Sequence, residues 1–260
     1  MMKKLVLMAF AAAMAFSFGA QAMEKMKVRM GTEGAYAPFN AVDKDGKLYG
    51  FDIDIGNAIC AAANFECSWV TQNWDGIIPG LIAEKFDTII ASMSITEERK
   101  KKVDFTKKYY STPARFVTAD ANKGVEITKA NLKDKVIGVQ EGTVSDHFVT
   151  DNFGDTAKIK RYEKQDQANL DLTSGRLDYV FADSVVLSDG FLKTPRGKGY
   201  GFVGPNYSDQ KWFGEGIGIA VRKGDDKLRE AINAAIAKIR ADGTYAKIQA
   251  KYFDFDVYGD

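Results

Sequence analysis

The sequence predicts an α/β protein with largely parallel sheets, folded as two lobes. Strand-like and helix-like segments alternate along most of its 260 residues, the pattern of βαβ units. Two stretches look like chain crossings between lobes: Tyr110-Ser111-Thr112-Pro113, and the glycine- and aromatic-rich "GFVGPNYSDQKWFGEG" at 201–216. Two crossings imply a middle lobe inserted into a first one, with a cleft between them that suits a small ligand. The expected division is a first lobe over 23–112, a second over 113–207, and a return to the first over 208–260.

The elements follow in order. The chain opens with Lys3 and Lys4, an apolar run over 5–18 and Ala20-Gln21-Ala22, the pattern of a secretory signal peptide over 1–22. No later run approaches the ~20 apolar residues of a membrane helix. Residues 28–31 read as a first strand. Phe51, Ile55, Ile59 and Ala62 recur at every third or fourth position, as on a core-facing helix. Thr88-Ile89-Ile90-Ala91 is a short apolar strand. "LKDKVIGV" at 132–139 reads as a helical turn and a strand, and residues 177–181 supply another strand, ending near Asp183. Residues 216–221 read as a strand, and Leu228, Ile232, Ile236 and Ile239 mark an amphipathic helix closed by Ala241-Asp242-Gly243.

Composition excludes several functions. With 36 basic and 35 acidic residues, no net field favours nucleic acid as a partner. His147 is the only histidine, which rules out a histidine triad or a multi-histidine metal site; it reads as a solvated helix residue. No Walker loop or CxxC pair is present. Cys60 and Cys67 lie in an exported chain, where one disulfide is the default; two buried free thiols are the alternative. On one continuous helix their Cα atoms would be ~10 Å apart, beyond the ~7 Å limit for a bridge. A bridge therefore needs the helix to end between them, at Asn64, before a strand over 67–70.

Three places can carry chemistry. In "ASMSITEERKKKVDF" at 91–105, Ser94-Ile95-Thr96-Glu97 reads as a capping box. A helix start at the end of a strand presents free N–H groups to an anion, and Arg99 can add a bidentate grip on a carboxylate. The turn from Gly138 through Gln140, Thr143, Val144 and Ser145 repeats the strand–glycine–helix pattern. Asp183 stands at a strand's carboxyl end, where α/β sites are built, and equally reads as a helix N-cap. Tyr36 and Trp74 are core aromatics or a pair of walls around a ligand. The Asp52/Asp54 pair carries little information, since acids are common at helix starts.

Six segments together resemble the periplasmic solute-binding proteins for basic amino acids that serve ABC importers: "GTEGAYAPF" (31–39), "GFDIDIGNAIC" (50–60), "WDGIIPGL" (74–81), "FDTIIASMSITEERKKKVDFT" (86–106), "DLTSGRLDYVFAD" (171–183) and "RADGTYAKIQAKYFDFDVYG" (240–259). The likeness covers essentially all of the mature chain and looks nearest to arginine/ornithine-binding members. It implies a type II, venus-flytrap periplasmic binding protein that is not an enzyme, acts as a monomer without a cofactor or metal, resides in the periplasm of a Gram-negative bacterium, and meets membrane permease subunits. It also implies roles. Arg99 clamps the ligand α-carboxylate, with Ser94 and the Thr143/Val144 turn; Asp183, Ser92 and the Ala91 carbonyl receive the α-ammonium; Tyr36 and Trp74 sandwich the aliphatic stem; Glu33 answers the cationic tip. Three positions depart from the pattern. Glu33 stands where some relatives have Asp, Ala91 replaces a serine, and Gln140 occupies a place that is apolar in some members. The last keeps opines as an alternative ligand class, and a cyclohexadienyl dehydratase-like enzyme on this fold is the other reading.

Overall fold

The computed structural model of the chain describes residues 25–259; the signal peptide expected over 1–22 lies outside the described residues. Strand β1 (Lys27–Thr32) leads through a small antiparallel meander, β2 (Ala35–Tyr36), β3 (Asn40–Val42) and β4 (Leu48–Tyr49), into helix α1 (Phe51–Ala63). There follow β5 (Glu66–Thr71), α2 (Ile77–Ile82), β6 (Thr88–Ile89), α3 (Glu97–Lys100) and β7 (Val103–Phe105). The middle of the chain supplies β8 (Ala114–Ala119), β9 (Val136–Gln140), α4 (Val144–Phe153), β10 (Lys158–Tyr162), α5 (Gln165–Thr173), β11 (Tyr179–Asp183), α6 (Ser184–Leu187) and β12 (Tyr200–Tyr207). After α7 (Gln210–Phe213) come β13 (Ala220–Arg222), α8 (Asp226–Ala241) and α9 (Thr244–Gln249). Among the described residues no helix is long and apolar enough to cross a membrane.

The strands form two five-stranded sheets with the same pattern, β5-β1-β6-β13-β7 and β10-β9-β11-β8-β12. The chain leaves the first sheet after β7, enters the second at β8, and returns between β12 and β13. The expectation of largely parallel sheets needs correction. In each sheet two pairings are parallel and two antiparallel: β13 runs against β6 and β7, and β8 against β11 and β12. The reason lies in the crossings. A strand reached by a local helical crossover returns parallel, but β8 and β13 arrive from the other sheet and are free to enter in the opposite sense. The stretch 201–216 likewise begins as strand, in β12, and only its later part travels between sheets.

Helix α1 shows how residue choice fixes local structure. Gly50 precedes it at φ 125°, and a Cβ there would lie 2.2 Å from the Phe39 carbonyl oxygen, so glycine is required. Asn64 ends it in the left-handed conformation, letting the chain reverse so that Cys60 and Cys67 join in a disulfide with Cα atoms 6.2 Å apart. Phe51, Ile55 and Ile59 share one core with Leu228, Ile232, Ile236 and Ile239 of α8. Each such side chain contributes roughly 1.5–3 kcal/mol by leaving water. The second sheet buries Phe116, Ile137, Val139, Phe148 and Phe181.

Two local expectations change. Helix α3 is capped by Thr96, whose hydroxyl accepts from the Arg99 backbone N–H; Ser94 is instead paired in an isolated bridge with Ile217, so its backbone is committed to extended structure. The strand expected over 216–221 is confined to β13, because Ile217 upstream bridges both Ser94 and Tyr110 rather than joining a ladder.

Candidate ligand-binding site

All eleven residues singled out from sequence line one cavity: Glu33, Tyr36, Trp74, Ala91, Ser92, Ser94 and Arg99 from the first-sheet side, Gln140, Thr143, Val144 and Asp183 from the second. Its space, counted out to the solvent at its mouth, is about 750 Å³. The ends of β1, β6, β9 and β11 converge here, each passing into a turn or helix start, as carboxyl strand ends do in α/β sites.

Arg99 is 9% exposed, and among the described residues it makes no ion pair. Its Nη1 donates to the Ser94 carbonyl at 3.1 Å, and its guanidinium lies 5.1 Å from the Trp74 ring centre. Burial pushes its pKa down to about 10. A cation–π contact and one neutral acceptor are weak compensation for a desolvated charge.

Two acids share the cavity, also without ion pairs among the described residues. Glu33 is 9% exposed; its Oε1 accepts from Gln140 Nε2 at 2.6 Å, and burial pushes its carboxyl up to about 7. Asp183 accepts from the Val185 and Val186 N–H groups at 2.8 and 3.1 Å and from the Thr112 hydroxyl. Burial is again the largest influence, lifting it to about 6. Both readings of Asp183 hold at once: one oxygen caps α6 while the side chain lines the cavity.

Hydrogen bonds join the two sides around this space. Besides Glu33–Gln140, Trp74 Nε1 donates to the Gly142 carbonyl at 3.3 Å, and Asn73 Nδ2 to Glu163 at 2.6 Å. Gln140 Nε2 also donates to the Glu163 carbonyl at 3.1 Å, so its amide protons are engaged. The conformation is therefore closed. His147 is exposed, its Nδ1 3.9 Å from Glu98, in keeping with its reading as a solvated residue.

Sequence reasoning missed the scaffold beneath the cavity. Asp52, set aside as one of many helix-start acids, is fully buried and accepts from Asn40 Nδ2 at 2.9 Å, Ser92 N at 2.9 Å, Ser92 Oγ at 3.0 Å and Tyr109 OH at 2.7 Å. The available signal was its period: Phe51, Asp52, Ile55 and Ile59 share the buried side of α1, so the acid points inward where Asp54 does not.

The family described as bacterial extracellular solute-binding proteins, family 3, matches residues 28–255. The chain is 52% identical over 259 residues to an L-arginine-binding protein of Pseudomonas aeruginosa, covering 99% of each chain. It is 45% identical over 261 residues to a histidine-binding periplasmic protein of Salmonella typhimurium, covering 99% of this chain and all of the other. Among solved structures, an ancestral arginine-binding protein bound to arginine has a TM-score of 0.81 and 39% identity, covering 88% of this chain and 99% of that one. With its two-sheet architecture and relatives matched from end to end, the chain belongs to the bacterial extracellular solute-binding proteins, family 3.

Proposed function

We propose that the protein captures a cationic L-amino acid, arginine or ornithine before lysine or histidine, in the periplasm of a Gram-negative bacterium and delivers it to the permease of an ABC importer. The carrying observation is a set of buried ionisable groups in one cavity that make no ion pair among the described residues, a guanidinium at Arg99 and two carboxyls at Glu33 and Asp183. A basic amino acid is their complement, with one carboxylate, an α-ammonium and a cationic tip. Arg99 grips the carboxylate, assisted by Ser94, Thr143 and Val144. Asp183, Ser92 and the Ala91 carbonyl take the ammonium, Tyr36 and Trp74 flank the stem, and Glu33 meets the tip. The arginine-binding relatives support the same ligand.

The lobes, 23–112 with 208–260 and 113–207, close because the ligand touches both, and its differential affinity stabilises the shut form. An opine suits the lining less well. Its second carboxylate needs another donor, yet both Gln140 amide protons are engaged and Arg99 is the only cation on the lining. Of the two substrates of a cyclohexadienyl dehydratase, prephenate carries two carboxylates and no cation, which the two acids in the cavity oppose, and arogenate has an ammonium but again two carboxylates for the single lining cation Arg99.

Titration calorimetry tests the reading. The wild-type protein is expected to bind L-arginine, and Arg99→Ala to lose binding of every α-amino acid ligand. Micromolar arginine binding by Arg99→Ala overturns the carboxylate assignment, and formation of phenylpyruvate from prephenate or of phenylalanine from arogenate overturns the non-enzymatic one.

A further inference from the structure

We infer that Asp52 is a positioning residue that fixes Ser92 as a hydrogen-bond acceptor, and through it makes the cavity select for a ligand's α-ammonium. The inference rests on the proposed function in taking Ser92 as part of the ammonium subsite.

Ser92 is an unusual residue in its backbone. Its φ is 52°, the left-handed region that residues with a Cβ avoid. Such a conformation persists only where neighbours over-determine it. Here the determinant is one atom: Asp52 Oδ2 accepts both the Ser92 backbone N–H at 2.9 Å and the Ser92 hydroxyl at 3.0 Å. Asp52 cannot swing away, because Asn40 Nδ2 holds the same oxygen at 2.9 Å and Tyr109 OH the other at 2.7 Å. Asp52, Asn40 and Tyr109 are all fully buried and none of them lines the cavity.

The consequence for binding follows from counting protons. A serine hydroxyl has one proton and two lone pairs. With the proton committed to Asp52, Ser92 has only lone pairs left to offer the cavity. A carboxylate or carbonyl meets repulsion there, and an ammonium finds an acceptor. The backbone N–H and the Asn40 amide can only donate, so they hold Asp52 as an acceptor although its burial opposes the charge.

The experiment compares L-arginine with 5-guanidinopentanoate, which keeps the carboxylate and the guanidinium and lacks the α-amino group, by calorimetry on wild type, Asp52→Asn, Ser92→Ala and the double variant. Asp52→Asn keeps the side chain's size but turns part of the acceptor into a donor. It is expected to weaken arginine roughly tenfold or more, as for loss of a charge-assisted network, and 5-guanidinopentanoate by less than about threefold. In the Ser92→Ala background the same change should have little further effect on the ratio of the two affinities, because coupled residues are not additive. Equal weakening of both ligands, or an unchanged ratio, overturns the inference and assigns Asp52 a purely structural role. If Asp52→Asn does not fold, Ser92→Gly decides the matter: glycine adopts the same φ freely and removes the hydroxyl with its Cβ, so the ratio must fall, and a retained ratio overturns the inference. Failure of the wild-type protein to bind arginine at all overturns instead the proposed function.

Discussion

Gln140 Nε2 lies 2.6 Å from Glu33 Oε1, tying the end of the second sheet's β9 to the turn that follows β1 in the first. The bond spans the cavity and touches the acid whose burial lifts it to about 7. In the proposed function, ligand recognition and proton binding meet at this one carboxyl.

The first prediction follows from that carboxyl's sign. In the closed, unliganded protein Glu33 binds a proton below pH 7, and it must release the proton to face a cation. Affinity for arginine should be flat above about pH 8 and fall roughly tenfold by pH 6. For stability the sign is opposite: a raised folded pKa means that this group's stabilisation is complete below its unfolded pKa and lost as pH rises through about 7. Calorimetry at pH 6 and 8, in buffers of different ionisation enthalpy, reads both the affinity and the released proton. An affinity independent of pH over this range sinks the assignment of Glu33 to the ligand tip.

Gln140→Leu removes the donor that lowers the Glu33 carboxyl. Its pKa should rise further, so arginine binding at pH 7 should weaken about three- to tenfold and recover near pH 8.5. Equal affinities for the variant and wild type at pH 7 contradict this.

Trp74 has two separable tasks, a ring against the Arg99 guanidinium and an N–H bonded to Gly142 across the cavity. Trp74→Phe keeps a ring and loses the hydrogen bond, so arginine affinity should fall only about three- to fivefold, through faster release. Trp74→Ala removes both and should cost at least about fiftyfold. Stopped-flow dissociation rates check the split; identical rates for Trp74→Phe and Trp74→Ala argue against the ring's role.

The Cys60–Cys67 disulfide closes a short loop with a sequence separation of 7. Replacing both cysteines with serine should destabilise the fold by about 2.5 kcal/mol on the chain-entropy account, lowering the melting temperature by roughly 5–10 °C. Arginine affinity should not change, because neither cysteine lines the cavity. Differential scanning calorimetry and a ligand titration on the same sample measure the two effects.

Much of the framework is legible in sequence because it is local. Asn64 ends α1, and the apolar stripe Leu228, Ile232, Ile236 and Ile239 finds its core, since capping and periodicity are decided within a few residues. The eleven cavity residues come together because motif resemblance carries three-dimensional information that spacing lacks. Asp52 was missed for a related reason: a helix-start acid is uninformative until Asn40, Ser92 and Tyr109, distant in sequence, are seen around it.

The sequence by itself determined the α/β alternation, the turn that allows Cys60 to meet Cys67, the crossing at 110–113 and a second one somewhere within 201–216, and the family. Tertiary structure alone decided the antiparallel entry of β8 and β13, the capping of α3 by Thr96 in place of Ser94, the left-handed Ser92 on its buried acid, and the lack of an ion pair at Arg99, Glu33 and Asp183 among the described residues. The physical reason is common to all four. Whether a charge, a hydroxyl or a strand edge is satisfied depends on which distant groups fold against it, and ionisable groups left without an opposite charge in a buried cavity are what a ligand can answer.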